Sequence, residues 1–149
     1  MNAHVARFLA VVAFATVAFT TSAHANAPAG RYTTANGTVY DTKTKLTWQQ
    51  TVASGTYNWA GAKTYCAGLS LNGTGWRLPT IKELQTIVDD SRTNPAIDTT
   101  AFPSTPADWF WSSSPLAGSS SYAWDVSFDF GFTGYSDVSY NYGNVRCVR

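Results

Sequence analysis

Gly75-Trp76-Arg77-Leu78-Pro79-Thr80-Ile81-Lys82-Glu83-Leu84 spells out a helix start in its residue types. Thr80 can accept a hydrogen bond from the Glu83 backbone N–H, and the Glu83 carboxylate can reach back to the Thr80 N–H. Each bond satisfies a donor that the first helical turn leaves unpaired. Pro79 fixes the backbone just before the cap. Ile81, Leu84, Ile87 and Val88 follow at helical spacing, so the pattern predicts a helix from Thr80 to about Asp90. Such a segment serves equally well as a scaffold element or as an acid-bearing site, and the rest of the chain has to decide between them.

Upstream, Asn58 caps a first helix predicted to run to about Leu69, with Trp59, Ala62, Tyr65 and Cys66 along one side. Leu71-Asn72-Gly73-Thr74-Gly75 is a turn cluster between the helices. Val39-Tyr40-Asp41 and Leu46-Thr47-Trp48 flank residues 42–45 as the two arms of a hairpin. After Ser91 the character changes, because Asn94-Pro95, Phe102-Pro103 and Thr105-Pro106 interrupt long regular elements. Phe110-Trp111-Ser112 reads as a short strand and residues 115–121 as a Ser/Gly loop. Residues 123–128 alternate as a strand that puts Trp124, Val126 and Phe128 on one face. Further short strands are expected near residues 132–136 and over 144–149, the last with Val145, Cys147 and Val148 inward. Two helices followed by short strands and loops make the fold class α+β.

The first 25 residues have the layout of a secretory signal peptide. Arg7 is the positive n-region, residues 8–19 form an apolar stretch too short to span a bilayer comfortably, and Ala23-His24-Ala25 fits a cleavage site. Thr20-Thr21-Ser22 ends the apolar stretch early, against a retained anchor. No cysteine at the cleavage site offers a lipid attachment, and no second apolar run of membrane length follows. The mature chain is expected to start at Asn26, with residues 26–37 as an N-terminal lead and 38–149 as one domain. The expected location is periplasmic or extracellular, without membrane insertion after cleavage.

Without Arg7, the ten Lys and Arg residues become nine, against nine Asp and Glu, and the formal charge falls from +1 to zero. A neutral chain argues against non-specific binding to nucleic acid or an anionic membrane. Both histidines, His4 and His24, lie in the signal segment. Their loss removes Ser-His-Asp and Cys-His nucleophiles, His-ligated zinc and a histidine general base. Cys66 and Cys147 are the only cysteines. In an exported protein they most simply form one disulfide, closing a loop of about 80 residues at a gain on the order of 4 kcal/mol. Two free thiols, as a redox or metal site, are the alternative.

Asp89, Asp90, Asn94 and Asp98 make an oxygen-rich cluster of the types that calcium takes, although their spacing matches no EF-hand loop. The other reading is helix-end and turn chemistry. No cofactor is expected beyond that calcium candidate. Glu83 with Asp89 or Asp90 is a candidate glycosidase acid pair, set against the capping role of Glu83 and a separation that nothing in the sequence fixes. Trp48, Trp59, Trp76, Trp111 and Trp124 lie in or beside regular elements and are expected in the core. Tyr135, Asp137, Tyr140, Asn141 and Tyr142 mix rings and polar groups on a loop. That mixture suits sugar or protein recognition, because rings stack while amides orient, and it also suits an ordinary tyrosine-rich turn. Arg146, between inward residues, is expected in a structural ion pair, with a sulfate as the alternative partner.

Several segments, taken with residues 75–84, are similar to one bacterial exported domain family. They are Val39-Tyr40-Asp41 with Leu46-Thr47-Trp48, Asn94-Pro95-Ala96-Ile97-Asp98, Phe110-Trp111-Ser112-Ser113, Ala123-Trp124 and Val145-Arg146-Cys147-Val148. In this order they resemble the Lcl C-terminal domain family, named for the end domain of a Legionella collagen-like adhesin. The resemblance implies a C-type-lectin-like domain, two helices packed on short antiparallel strands with long loops. It also implies a bond between a cysteine of the first helix and one of the last strand, the places of Cys66 and Cys147. Arg77-Leu78-Pro79-Thr80 is similar to formylglycine-generating enzymes as well. Those need two active-site cysteines in the C-terminal half, where this chain has Cys147 alone. The Glu-Pro-Asn motif of calcium-dependent lectins is absent, and the adhesin's collagen-like stalk has no counterpart in this sequence. The expected function is non-catalytic binding of a glycan or protein surface, through a face formed by residues 105–121 and 135–142. A structural or accessory subunit of a cell-surface assembly is the alternative, and a carboxylate glycosidase a third reading. The sequence leaves the oligomeric state open.

Overall fold

The computed structural model describes residues 28–149, so the expected signal peptide lies outside the described residues. Strands β1 (Tyr32–Ala35), β2 (Thr38–Asp41) and β3 (Thr47–Gln49) form an antiparallel sheet in that order. Asn36 and Gly37, between β1 and β2, have φ of 50° and 78°. Positive φ at both positions is what a two-residue hairpin needs to match the right-handed twist of its strands. β1 lies in the stretch read as an N-terminal lead, and the Asn-Gly pair was its signal. The second hairpin is the expected one, with Val39 opposite Trp48 and Tyr40 opposite Thr47. Its turn is organised by the Asp41 carboxylate, which accepts from the Lys43 N–H and the Thr44 hydroxyl, both at 2.9 Å. The same carboxylate takes the Arg31 guanidinium at 2.7 and 3.1 Å.

Helix α1 (Trp59–Gly68) starts as expected, with the Asn58 side chain accepting from the Gly61 N–H at 2.8 Å. Helix α2 (Ile81–Gln85) carries the complete capping box, but it ends at Gln85 rather than near Asp90. The Thr86 hydroxyl donates to the Glu83 carbonyl at 2.6 Å, and the Arg31 guanidinium donates to the Thr86 carbonyl at 2.6 Å. A longer helix would need that Thr86 carbonyl for the N–H of residue 90. Thr86-Ile87-Val88 is also a β-branched run, stiff at χ1 and weak in helix propensity. Ile87 is nevertheless buried and Val88 packs against the core. The apolar spacing thus reported burial correctly and helix length wrongly.

Strands β4 (Trp109–Pro115), β5 (Tyr122–Ser127) and β6 (Thr133–Asp137) form a second antiparallel sheet in the order β4-β5-β6. Residues 144–149, expected as a strand, form instead an extended seam with partners on both sides. On one side the Gln49 N–H reaches the Cys147 carbonyl and the Arg149 N–H reaches the Thr47 carbonyl, both at 2.9 Å. On the other, Arg77 and Val148 exchange two bonds at 2.9 Å, and the Trp111 N–H meets the Asn144 carbonyl at 3.1 Å. The seam joins the two sheets, and Val145, Cys147 and Val148 are fully buried in it. The fold is α+β.

The core has two clusters. One packs Trp48, Leu84, Ile87, Ile97, Phe102, Phe110, Val126 and Phe128. The other surrounds a disulfide between Cys66 on α1 and Cys147 in the seam, with Trp76, Leu78, Trp111 and Ala123. Trp59 and Trp124 depart from the expected core positions, because both are only half-buried. The Trp59 indole N–H donates to the Ser112 carbonyl at 2.7 Å, and the Lys63 ammonium stands 3.4 Å from its ring centroid. Arg146 is fully buried yet has no acidic partner among the described residues, which corrects the expected ion pair. Its guanidinium donates to the carbonyls of Gln49 and Gln50 and to the Thr105 hydroxyl, and it lies over the Phe102 ring. Burial pushes its pKa down, while three oxygen acceptors hold the charge in place.

Candidate ligand-binding face

The register of β5 and β6 sorts their side chains onto two faces. Tyr122 lies opposite Asp137, Trp124 opposite Tyr135 and Val126 opposite Thr133. Directly opposed residues share a face, so these six lie together. Val126 is buried in the core, whereas Tyr122, Trp124 and Tyr135 continue past it towards solvent. Tyr135 meets Tyr122 and Trp124 edge-on, with ring centroids 5.8 Å apart in both pairs. It is 56% exposed. At the tip of the β5–β6 hairpin Phe130 and Phe132 sit 5.9 Å apart, with Phe132 66% exposed.

The opposite face carries a second aromatic group. Tyr142 stacks on Trp111 at 6.1 Å, and Tyr140 lies 5.7 Å from Tyr142. The Trp111 indole N–H donates to the Tyr57 carbonyl at 2.8 Å, which fixes the ring beneath the tyrosines. The residues singled out by sequence therefore divide, with Tyr135 on one face and Tyr140 and Tyr142 over the other. Asp137 accepts from the Ser139 N–H and hydroxyl, at 2.9 and 2.7 Å, and these bonds lower its pKa. Asn141 is exposed, and its carbonyl accepts from the Thr56 hydroxyl at 3.0 Å. Within residues 105–121, Thr105, Phe110, Trp111 and Ser112 are buried and serve as scaffold, while the other positions are half-buried or exposed.

Asp125 is the residue that sequence reading missed. It is fully buried on β5, and neither carboxylate oxygen has a well-formed hydrogen bond. Burial pushes its pKa up, with the Ser136 hydroxyl opposing the rise. Gly134 faces it across the ladder, where a Cβ would stand 2.9 Å from the Trp109 ring and 3.0 Å from the Asp125 oxygen. Alternation placed Asp125 on the face opposite Trp124, Val126 and Phe128, so the pattern carried no sign of its burial, which comes from Ala123, Asp125 and Ser127 being covered as well.

The oxygen-rich cluster resolves into separate turn bonds. Asp89 accepts from the Ser91 N–H and from Arg92 Nε, both at 3.0 Å. Asp98 accepts from the N–H groups of Thr100 and Ala101. Asn94 sits at φ 50° with its own N–H on the Asp129 carbonyl, and Asp90 is exposed. Among the described residues no three His, Cys, Asp or Glu side chains are grouped as a metal site. Glu83 accepts from both Arg77 terminal nitrogens, at 2.8 and 2.6 Å, and from the Thr80 N–H and hydroxyl. Arg77, together with the Thr80 bonds, pulls its pKa down to about 2.

Charge is distributed unevenly. From residue 93 to residue 145 the sequence has no Lys or Arg, but it has Asp98, Asp108, Asp125, Asp129 and Asp137. Of these acids, Asp108, Asp125, Asp129 and Asp137 lie in or beside the β4–β6 sheet. The sequence model of the Lcl C-terminal domain matches residues 37–149. No curated protein and no solved structure gives a match.

Proposed function

Because the chain belongs to the Lcl C-terminal domain family, we propose that it is an exported, non-catalytic binding module with a C-type-lectin-like fold, holding a glycan or a protein surface. The observation that carries this reading is the exposed aromatic group on β5 and β6, above all Tyr135 edge-on to Tyr122 and Trp124. Rings held at fixed angles on a sheet offer flat apolar faces at low entropic cost, which suits stacking on sugar rings or on a protein surface. Glu83 supports the non-catalytic part. A general acid needs a raised pKa, and this carboxylate is held low and fully engaged in capping. The Cys66–Cys147 bond fits an oxidising compartment.

Alanine at Tyr135, Tyr140 and Tyr142 together is expected to weaken binding on a glycan array and to immobilised surface proteins by about tenfold or more, about 1.4 kcal/mol. The measurement is made with and without calcium. Binding that survives the triple substitution on every ligand would remove the assignment.

A further inference from the structure

β6 is the outer strand of its sheet. In an antiparallel ladder, alternate residues bond to the neighbouring strand and the rest turn their backbone groups away. The Ser127 N–H bonds to the Phe132 carbonyl at 2.8 Å and the Val138 N–H to the Ser121 carbonyl at 3.0 Å, which fixes both ends of the register. Gly134 and Ser136 therefore face β5, while Thr133, Tyr135 and Asp137 face the open side. Tyr140 takes the Asp137 carbonyl. The N–H and C=O groups of Thr133 and Tyr135 have no backbone partner among the described residues. Sheet edges are normally guarded by lysine, proline, a bulge or a covering loop. Thr133-Gly134-Tyr135-Ser136-Asp137 has no lysine or proline, and its pairing with β5 is continuous.

The surroundings of this edge have one chemical character. Phe132 and Tyr135 expose their rings beside it. Asp129 and Asp137 lie at its two ends, within the stretch that lacks Lys and Arg. At the start of β6 a cleft of about 210 Å³ is lined by Gln85, Val88, Asp90, Gly131 and Thr133. Asp90 and Asp129 belong to none of the ion pairs among the described residues.

We propose that the free edge of β6 receives an extended segment of a partner protein by strand addition, with Lys or Arg side chains at alternate positions. The backbone of that segment would bond to Thr133 and Tyr135. Its cations would meet Asp90, Asp129 and Asp137 and lie over the exposed rings. A second copy of this chain docked β6 to β6 would set acid against acid, so the charge pattern favours a foreign, basic strand. The proposal rests on the binding reading above and names the partner within it.

The probe is a blocked heptapeptide alternating lysine and valine, with a glutamate–valine counterpart, titrated into the full chain by calorimetry and followed by amide hydrogen exchange. The lysine peptide is expected to bind, more weakly as salt rises, and the glutamate peptide not to bind. The Thr133 and Tyr135 amides should gain protection, and those of Gly134 and Ser136 should change little. Thr133→Pro removes one open N–H at the first strand residue, where proline is tolerated, and should weaken binding about tenfold. Thr133→Val keeps that N–H and should bind as before. Asp90→Lys with Asp137→Lys should transfer the preference to the glutamate peptide. No binding of the lysine peptide, protection confined to other amides, or undiminished binding after charge reversal overturns the proposal. Self-association by light scattering that Thr133→Pro abolishes overturns it in favour of a second copy. If the lysine peptide fails while ring-dependent glycan binding persists, strand addition falls and the binding reading stands.

Discussion

Asp125 shows at the level of one side chain how burial of a weakly partnered carboxyl acts on stability. Its carboxyl is held above the ordinary value of 3.8 by desolvation. As pH rises through that value the unfolded chain loses its proton first, so the folded state is the one that retains protons. Stability therefore falls across the window from 3.8 up to the raised pKa, and the loss persists at neutral pH. Asp125→Asn is expected to raise the melting temperature at pH 7 and to leave it nearly unchanged at pH 3, as thermal unfolding at both values would show. Glu83 has the opposite sign. Its contribution is present above its ordinary 4.5 and lost as pH falls towards about 2. The capping pair Thr80 and Glu83 was legible in the sequence because both residues and both backbone partners fall within four positions. Arg146 was not legible, since its acceptors Gln49, Gln50 and Thr105 come from distant parts of the chain.

Elements followed the same division between local and distant causes. α1 begins at its Asn58 cap as read, and the Val39–Trp48 hairpin has the expected pairing. The end of α2 was legible only in part: the β-branched run Thr86-Ile87-Val88 is local, whereas the Arg31 guanidinium on the Thr86 carbonyl comes from another part of the fold. The β1–β2 hairpin has a local signal in Asn36-Gly37. The aromatic loop residues were found by composition, but their division between two faces needed the β5–β6 register. At the start of α2, Thr80→Ala is expected to cost about 1 kcal/mol. Glu83→Gln should cost less, because glutamine still completes the box and the Arg77 ion pair is partly solvent-exposed. Denaturant titrations of the two variants would rank them, and a larger loss for Glu83→Gln would place the stabilisation in the ion pair instead.

At the scale of the whole molecule, the α+β class was legible from two helical patterns followed by short strands. The seam was not, because its bonding to both sheets depends on long-range pairing. The disulfide locks α1 to that seam across 81 positions of sequence. Constraining so long a loop removes much unfolded-state entropy, so Cys66→Ser is expected to lower stability by about 4 kcal/mol. Thermal unfolding with and without a reductant would show the same loss, and an unmoved melting temperature would contradict it.

The seam also sets a schedule. A chain that emerges from the ribosome N-terminus first delivers Val145, Cys147 and Val148 after every strand and helix of this domain. Until they arrive, Cys66 has no thiol to join, and Arg77 and Thr47 lack their backbone partners. Core closure thus waits for almost the entire domain, as expected when decisive contacts are far apart in sequence. An emerging chain keeps its apolar residues uncovered for that whole interval, and its dependence on holding factors should end abruptly when the seam is released.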